Sequence, residues 1–374
     1  VTITGTATVD WSEDWLFVGR GGAGDATLTF ENANLTSASN DVNSGLGIHV
    51  SGRQKDTDNK YDGKLVIKNS TIELDYLIDR GTITLDEGAN LTVKNGFGIA
   101  GRPASETENN NPATATISLI NGAKLIVNNH NGMGVGQAAS EPEGYGIMNI
   151  DATSTFETTQ SFNISANGTM NVNGGNVKVV GTLTNNGAVN VTGESILDIE
   201  TLTGEEINFL DGAIIKNSTV GGEVFVAGKV IFRGNNTFAM LYDFGTLTGY
   251  YGTTANMEWT VEEGASLTLT DKARYGLGYG DNVTINGSIT DALEARENLT
   301  EDDRSLFMHG LVAQESKGWN CNSKFTVEDA YVTFIAGILR SVRFGATEAH
   351  GIANMMCFNY MEDHDAFSRN EEGK

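Results

Sequence analysis

Short apolar runs with period-two alternation recur along most of the chain. Six segments align: Leu28-Thr-Phe-Glu-Asn-Ala-Asn-Leu35, Leu65-Val-Ile-Lys-Asn-Ser-Thr-Ile72, Ile83-Thr-Leu-Asp-Glu-Gly-Ala-Asn-Leu91, Ile117-Ser-Leu-Ile-Asn-Gly-Ala-Lys-Leu125, Trp259-Thr-Val-Glu-Glu-Gly-Ala-Ser-Leu267 and Phe325-Thr-Val-Glu-Asp-Ala-Tyr-Val332. Each reads as a short strand, a polar corner and a second strand. Alternation at period two turns one face of a strand inward. The Asn, Asp, Glu and Gly residues of the corner supply the positive-φ or Asx-turn positions that bend the backbone.

A second element precedes several copies: Leu16-Phe-Val-Gly-Arg20, Gly47-Ile-His-Val-Ser-Gly-Arg53, Gly98-Ile-Ala-Gly-Arg102 and Gly132-Met-Gly-Val-Gly136. Polar stretches of variable length follow it, at Gln54 to Asp62, Ala104 to Asn111 and Gln137 to Gly144. Insertions confined to one place per repeat are what a stack of repeated units tolerates. Between Met148 and Thr248 the copies are tightest, as in Phe162-Asn-Ile-Ser-Ala-Asn-Gly, Met170-Asn-Val-Asn-Gly-Gly and Val177-Lys-Val-Val-Gly. Short strands punctuated by Gly and Asn also suit an antiparallel sandwich or barrel. Regular corners and only 3 Pro favour stacked parallel strands. The expected fold is all-β, a right-handed parallel β-helix (solenoid) over residues 1–334, with a short α-helical C-terminal tail over 335–374. In that tail Ile338, Val342, Ala346 and Ala349 fall three to four apart, at helical spacing.

Composition narrows the function. The 374 residues carry 48 acidic and 24 basic side chains, for a net charge of −24. A phosphate-backbone binder needs a basic footprint, so no nucleic-acid partner is expected. Adhesion to anionic lipid by charge alone is equally disfavoured. No run of 18 apolar residues occurs, so no transmembrane helix is expected. Val1-Thr-Ile-Thr4 already reads as strand, and a leader is expected to be absent or removed from this numbering. The 2 Cys, Cys321 and Cys357, make no disulfide framework.

Candidate chemistry is sparse. Asp75 and Asp79, with Arg80 and the more distant Asp56, Asp58, Lys60 and Asp62, form an acidic stretch that would suit a polysaccharide-active groove. The plainer reading is solvated rim charge, since paired carboxylates mean little without their separation. Trp11 and Trp15 are candidate sugar-stacking platforms, or a plug on the first repeat. Gly21-Gly-Ala-Gly-Asp25 is similar to a calcium-binding nonapeptide, but occurs once, with Asp25 one position early, and reads as a turn. No metal site and no cofactor is expected.

Two resemblances follow from these strings. Leu16-Phe-Val-Gly-Arg-Gly-Gly-Ala-Gly-Asp-Ala-Thr-Leu-Thr-Phe-Glu-Asn-Ala-Asn-Leu35 resembles the repeats of bacterial autotransporter passenger domains and related surface adhesins, over about residues 1–334. Arg340-Ser-Val-Arg-Phe-Gly-Ala-Thr-Glu-Ala-His-Gly-Ile-Ala-Asn-Met-Met-Cys-Phe-Asn-Tyr360 resembles the dipeptidyl peptidase III family of zinc metallopeptidases. The second resemblance implies that His350 corresponds to a substrate-binding histidine of that family. None of the 5 histidines has HExxH or HExxGH spacing, however, and peptidase activity is not expected. Phe325 to Phe334 suits the repeat and Ala330 to Val342 the peptidase segment, so the stretch Ala330 to Phe334 serves both parents, which suggests a chimeric join. The first resemblance implies an extracellular or cell-surface adhesin or display protein that binds a glycan or host-surface ligand without catalysis. The rival expectations are a polysaccharide-active enzyme or an inactive peptidase fragment.

Overall fold

The computed structural model describes residues 1–9, 15–19, 25–37, 46–51, 63–101, 113–128, 133–137, 144–242, 258–269, 282–285, 288–291, 324–327, 330–333 and 342–344. Among these residues the chain is all-β, with no helix, and its strands pair mostly in parallel. It divides into two units, Val1–Glu206 and Ile207–Lys374.

The first unit holds β1 (Thr2–Val9), β2 (Trp15–Val18), β3 (Ala26–Ser37), β4 (Gly47–Val50), β5 (Gly63–Lys68), β6 (Thr71–Asp79), β7 (Thr82–Asp86), β8 (Asn90–Ile99) and β9 (Thr114–Leu119). It continues with β10 (Lys124–Val127), β11 (Gly134–Val135), β12 (Tyr145–Ile150), β13 (Thr155–Thr158), β14 (Phe162–Ile164), β15 (Gly168–Asn173), β16 (Asn176–Asn185), β17 (Ala188–Thr192) and β18 (Glu194–Gly204). Strands pair with the equivalent strand of the next repeat, which builds three parallel ladders.

The first ladder runs from the start of β3 through β5, β7, β9, β12 and β15 to β17. Its register keeps Phe30, Ile67, Leu85, Leu119, Ile150, Val172 and Val191 in one buried row. The second ladder runs through β6, β8, β10, β13, β16 and β18, and keeps Ile72, Leu91, Leu125, Phe156, Val177 and Leu197 in another. The third joins β2, β4, the end of β6, the end of β8, β11, β14, the end of β16 and the end of β18. Parallel strands need long connections rather than hairpins, and here each connection is itself the next strand of the repeat.

The corners between the first and second ladders confirm the expectation drawn from the polar segments. Asn32, Asn69, Glu87 and Asn121 take φ of 51°, 41°, 53° and 54°, the left-handed conformation that Asn tolerates best. Their side chains bond between repeats: Asn69 Nδ2 donates to Asn32 Oδ1 at 2.7 Å, and Asn121 Nδ2 to Asp86 Oδ1 at 2.7 Å. Inside, aromatic rings close the core. Phe162 packs against Phe156 at 4.9 Å and Phe97 at 5.9 Å between ring centres.

The second unit holds β19 (Ile207–Phe209), β20 (Ala213–Lys216), β21 (Thr219–Val226), β22 (Lys229–Arg233), β23 (Asn235–Tyr242), β24 (Glu258–Val261), β25 (Ser266–Leu269), β26 (Asn282–Ile285), β27 (Ser288–Asp291), β28 (Lys324–Val327), β29 (Ala330–Thr333) and β30 (Val342–Phe344). One parallel ladder runs β20, β22, β24, β26, β28 and another β21, β23, β25, β27, β29. Phe209, Phe232 and Phe238 form its buried ring cluster.

The helical tail expected over 335–374 is not what its described part adopts. Val342–Phe344 is a strand, antiparallel to Ala330–Val332 of β29. Val and Phe favour a pleated surface, and β29 offers them a ladder, so pairing outweighs the helical spacing there. The rest of the tail, His350 included, lies outside the described residues.

Candidate ligand-binding face

The outward face of the third ladder brings Trp15, Phe17, His49 and Tyr76 together. Register places Trp15 of β2, Gly47 of β4, Tyr76 of β6 and Gly96 of β8 in one row. Aromatic and glycine alternate, and each ring lies over the glycine of the next repeat. A Cβ on Gly47 would sit 2.6 Å from the Trp15 ring, and one on Gly96 would sit 2.7 Å from the Tyr76 ring. Only glycine permits that approach. The Trp15 and Tyr76 rings meet at 5.5 Å, bridging Gly47. In the neighbouring row Phe17 stacks on His49 at 5.7 Å, and His49 meets the Trp15 edge at 6.1 Å. Trp15, Phe17 and Tyr76 are half-buried, while His49 is buried. The result is a rigid aromatic surface with partly open ring faces, the chemistry that binds planar apolar faces of a ligand.

Asp75 and Asp79 are not solvated rim charges, and the structure does not bring them together in one groove. Both are 0 % exposed. Asp75 occupies a register shift between Leu74 and Tyr76, at the corner between the second and third ladders. Its Oδ2 accepts the Leu46 N–H at 2.7 Å, and its Oδ1 lies 3.3 Å from Lys94 Nζ and accepts from Asn95 Nδ2 at 3.4 Å. Lys94 also pairs with Glu73 at 2.8 Å. Burial alone would lower the Lys94 ammonium; the hydrogen bonds and charges of Glu73 and Asp75 outweigh it and hold it above its usual value.

Asp79 lies in the inward row of the third ladder, Val18, Val50, Asp79, Ile99, Val135. Its Oδ1 accepts the Gly81 N–H at 2.8 Å, and its Oδ2 has no hydrogen-bond partner. Burial pushes the carboxyl up to about 8, against the opposing pull of the Gly81 bond. Farther along the same row sits Asn185, also buried, but its amide is satisfied by the Glu205 and Glu206 carbonyls and the Gly187 N–H.

Of the sequence candidates, Trp15 is thus on the face, Asp75 supports its edge, and Asp79 belongs to the core. Trp11, Asp56, Asp58, Lys60, Asp62 and His350 lie outside the described residues. The alternation pattern alone leaves Tyr76, Phe17 and His49 unmarked. Alignment of Tyr76 with Trp15 and of His49 with Phe17 across the second repeat element carries the signal for them. Among the described residues no group of three or more His, Cys, Asp or Glu is placed to hold a metal, and no helix is long and apolar enough to cross a membrane.

Comparison with known proteins adds one short match. The chain is 50% identical over 50 residues to Nudix hydrolase 3 of Arabidopsis thaliana. That stretch is 13% of this chain and 6% of that protein, so the chain spans a small fraction of its relative's length. No protein-family profile matches the chain, and no solved structure does.

Proposed function

We propose that the chain is a right-handed parallel β-helix exposed at a cell surface or secreted, and that it acts by display: non-catalytic, multivalent adhesion to a glycan. The observation that carries this reading is the register. Each outward position recurs on the next repeat at the strand spacing of about 4.8 Å, so outward side chains stand in lines, as Asn149, Asn171 and Asn190 do. Weak contacts arranged in that way add through effective concentration. A polysaccharide-cleaving role is less favoured, because the Asp79 carboxyl is sealed in the core and the Asp75 carboxyl is engaged by Leu46, Lys94 and Asn95.

The test is a glycan array combined with a turnover screen on the full chain. Retention of one or more glycans without reducing-end or unsaturated products is expected. Release of such products from any polysaccharide would overturn the reading.

A further inference from the structure

The outward face of the first ladder carries a second strip, chemically unlike the rest of the first unit. Register aligns Ser118 of β9, Asn149 of β12, Asn171 of β15 and Asn190 of β17. The amides bond along the stack: Asn190 Nδ2 donates to Asn171 Oδ1 at 3.1 Å, Asn171 Nδ2 to Asn149 Oδ1 at 2.9 Å, and Asn149 Nδ2 to Ser118 Oγ at 3.5 Å. These bonds lock the amide planes into one orientation. An amide offers two N–H groups and two lone pairs. The central Asn171 therefore spends one of each on its neighbours, and its second N–H and second lone pair remain for a ligand. All four side chains are half-buried rather than covered.

One flank of the strip is uncharged, and on the other the Asp151 carboxylate is engaged by the Asn121 and Thr153 N–H groups and the Thr153 and Ser154 hydroxyls. The adjacent outward row is Thr116, Ile147, Thr169 and Ala188. Tyr145, 48% exposed, stands at the head of β12 beside Thr114. The second ladder differs: its outward positions hold ion pairs such as Lys124 with Glu157 at 2.9 Å and Lys178 with Asp198 at 3.5 Å. In a chain of net charge −24, two rows without an ionisable group across four successive strands form a neutral window.

We infer that this strip binds an uncharged polysaccharide laid along the stacking direction, the amides meeting its hydroxyls in turn and the Tyr145 ring, about 13 Å along β12 from Asn149, taking the sugar face of a side branch or parallel chain. This rests on the display reading and names its ligand class and its surface. Charge selects the occupant. Anionic polymers meet a negative molecule with no cation in the strip, and cationic ones find at its edge only Asp151, whose oxygens already accept from Asn121, Thr153 and Ser154. A protein partner would need an apolar centre, for which Ile147 alone is too little. A neutral polyol satisfies aligned donors and acceptors at every repeat.

Affinity electrophoresis of the full chain tests this, in gels containing hydroxyethyl cellulose, a soluble neutral β-glucan, or polygalacturonate. Retardation by at least one of the two neutral polymers and not by polygalacturonate is expected. Asn171→Asp and Tyr145→Ala should each weaken it at least tenfold, and Lys178→Met on the second ladder should leave it unchanged. Tyr145→Ala removes an exposed ring and so keeps the measurement meaningful if Asn171→Asp fails to fold. No retardation by either neutral polymer, or equal retardation of the folded variants, would overturn the inference. Loss on Trp15→Ala with both strip variants unaffected would overturn it too, while leaving the display reading intact. Products of cleavage would instead overturn the display reading.

Discussion

At the residue scale Asp79 is a buried carboxyl with one oxygen that no hydrogen bond satisfies. A carboxyl whose ordinary value is 3.8 is pushed up to about 8 by burial in a row of Val and Ile. The sign follows from the shift. Below pH 3.8 both folded and unfolded chains hold the proton, and the group adds no pH dependence. Between 3.8 and about 8 the unfolded chain releases the proton and the folded chain keeps it, so stability falls as pH rises, by at most about 1.4 kcal/mol per pH unit. Above about 8 the penalty is complete. Asp79→Leu should therefore remove the fall of the urea midpoint between pH 4 and pH 7.5, while loss of the buried acceptor of the Gly81 N–H lowers the midpoint at pH 4. Equal pH slopes for the variant and the parent would refute the assignment. Asp75 is held by its contacts, because both of its oxygens are used. Asp75→Ala leaves the Leu46 N–H without its buried acceptor and should destabilise by roughly 1–3 kcal/mol, read by urea unfolding at pH 7. A loss below a few tenths of that would mean that water replaces the carboxylate.

At the element scale, strands are held by what they stack upon. Phe162 of β14 touches Phe97 of β8 and Phe156 of β13, so one side chain links the second and third ladders. Phe162→Ala should cost about 3–5 kcal/mol, measured as a shift in the denaturation midpoint with an unchanged slope. The first and second ladders were legible in the sequence, because Leu65 to Ile72 or Ile117 to Leu125 alternates cleanly around a corner that needs a left-handed residue. The third ladder was legible as a motif but not as a face. Counting by twos from Ile72 places Asp75 and Asp79 on the outward side together. At the register shift the unpaired Asp75 stands opposite two residues of β8, Lys94 and Asn95, and beyond it Leu77 and Asp79 turn inward while Tyr76 turns outward. A single unpaired residue reverses every later side chain on a strand, and no alternation survives to reveal it where Gly47 to Val50 and Gly96 to Ile99 are buried on both sides. The same inversion hides Tyr76 from the sequence pattern and gives Asp79 the pattern of an exposed residue.

At the scale of the whole molecule, charge and periodicity act together. A net charge of −24 repels anionic polymers over roughly a Debye length, about 10 Å at 0.1 M salt, and discourages strand edges from pairing with other copies. Binding through a neutral strip has no such field to screen. Affinity for a neutral polysaccharide should then change less than about twofold between 0.05 and 0.5 M salt, whereas an ion-paired complex would weaken steeply. Length supplies the second signature. Three strand spacings separate Ser118 from Asn190, roughly 14 Å, and the full row from Thr29 to Asn190 spans six, roughly 29 Å. Oligosaccharides shorter than about 14 Å engage too few repeats and should bind weakly. Affinity should climb with length as each added contact becomes intramolecular, and flatten once the ligand outgrows the row. Calorimetric titration with a graded oligosaccharide series reads this directly. A length-independent constant would mean one sugar in one pocket, and the repeated register would then be scaffold rather than recognition surface.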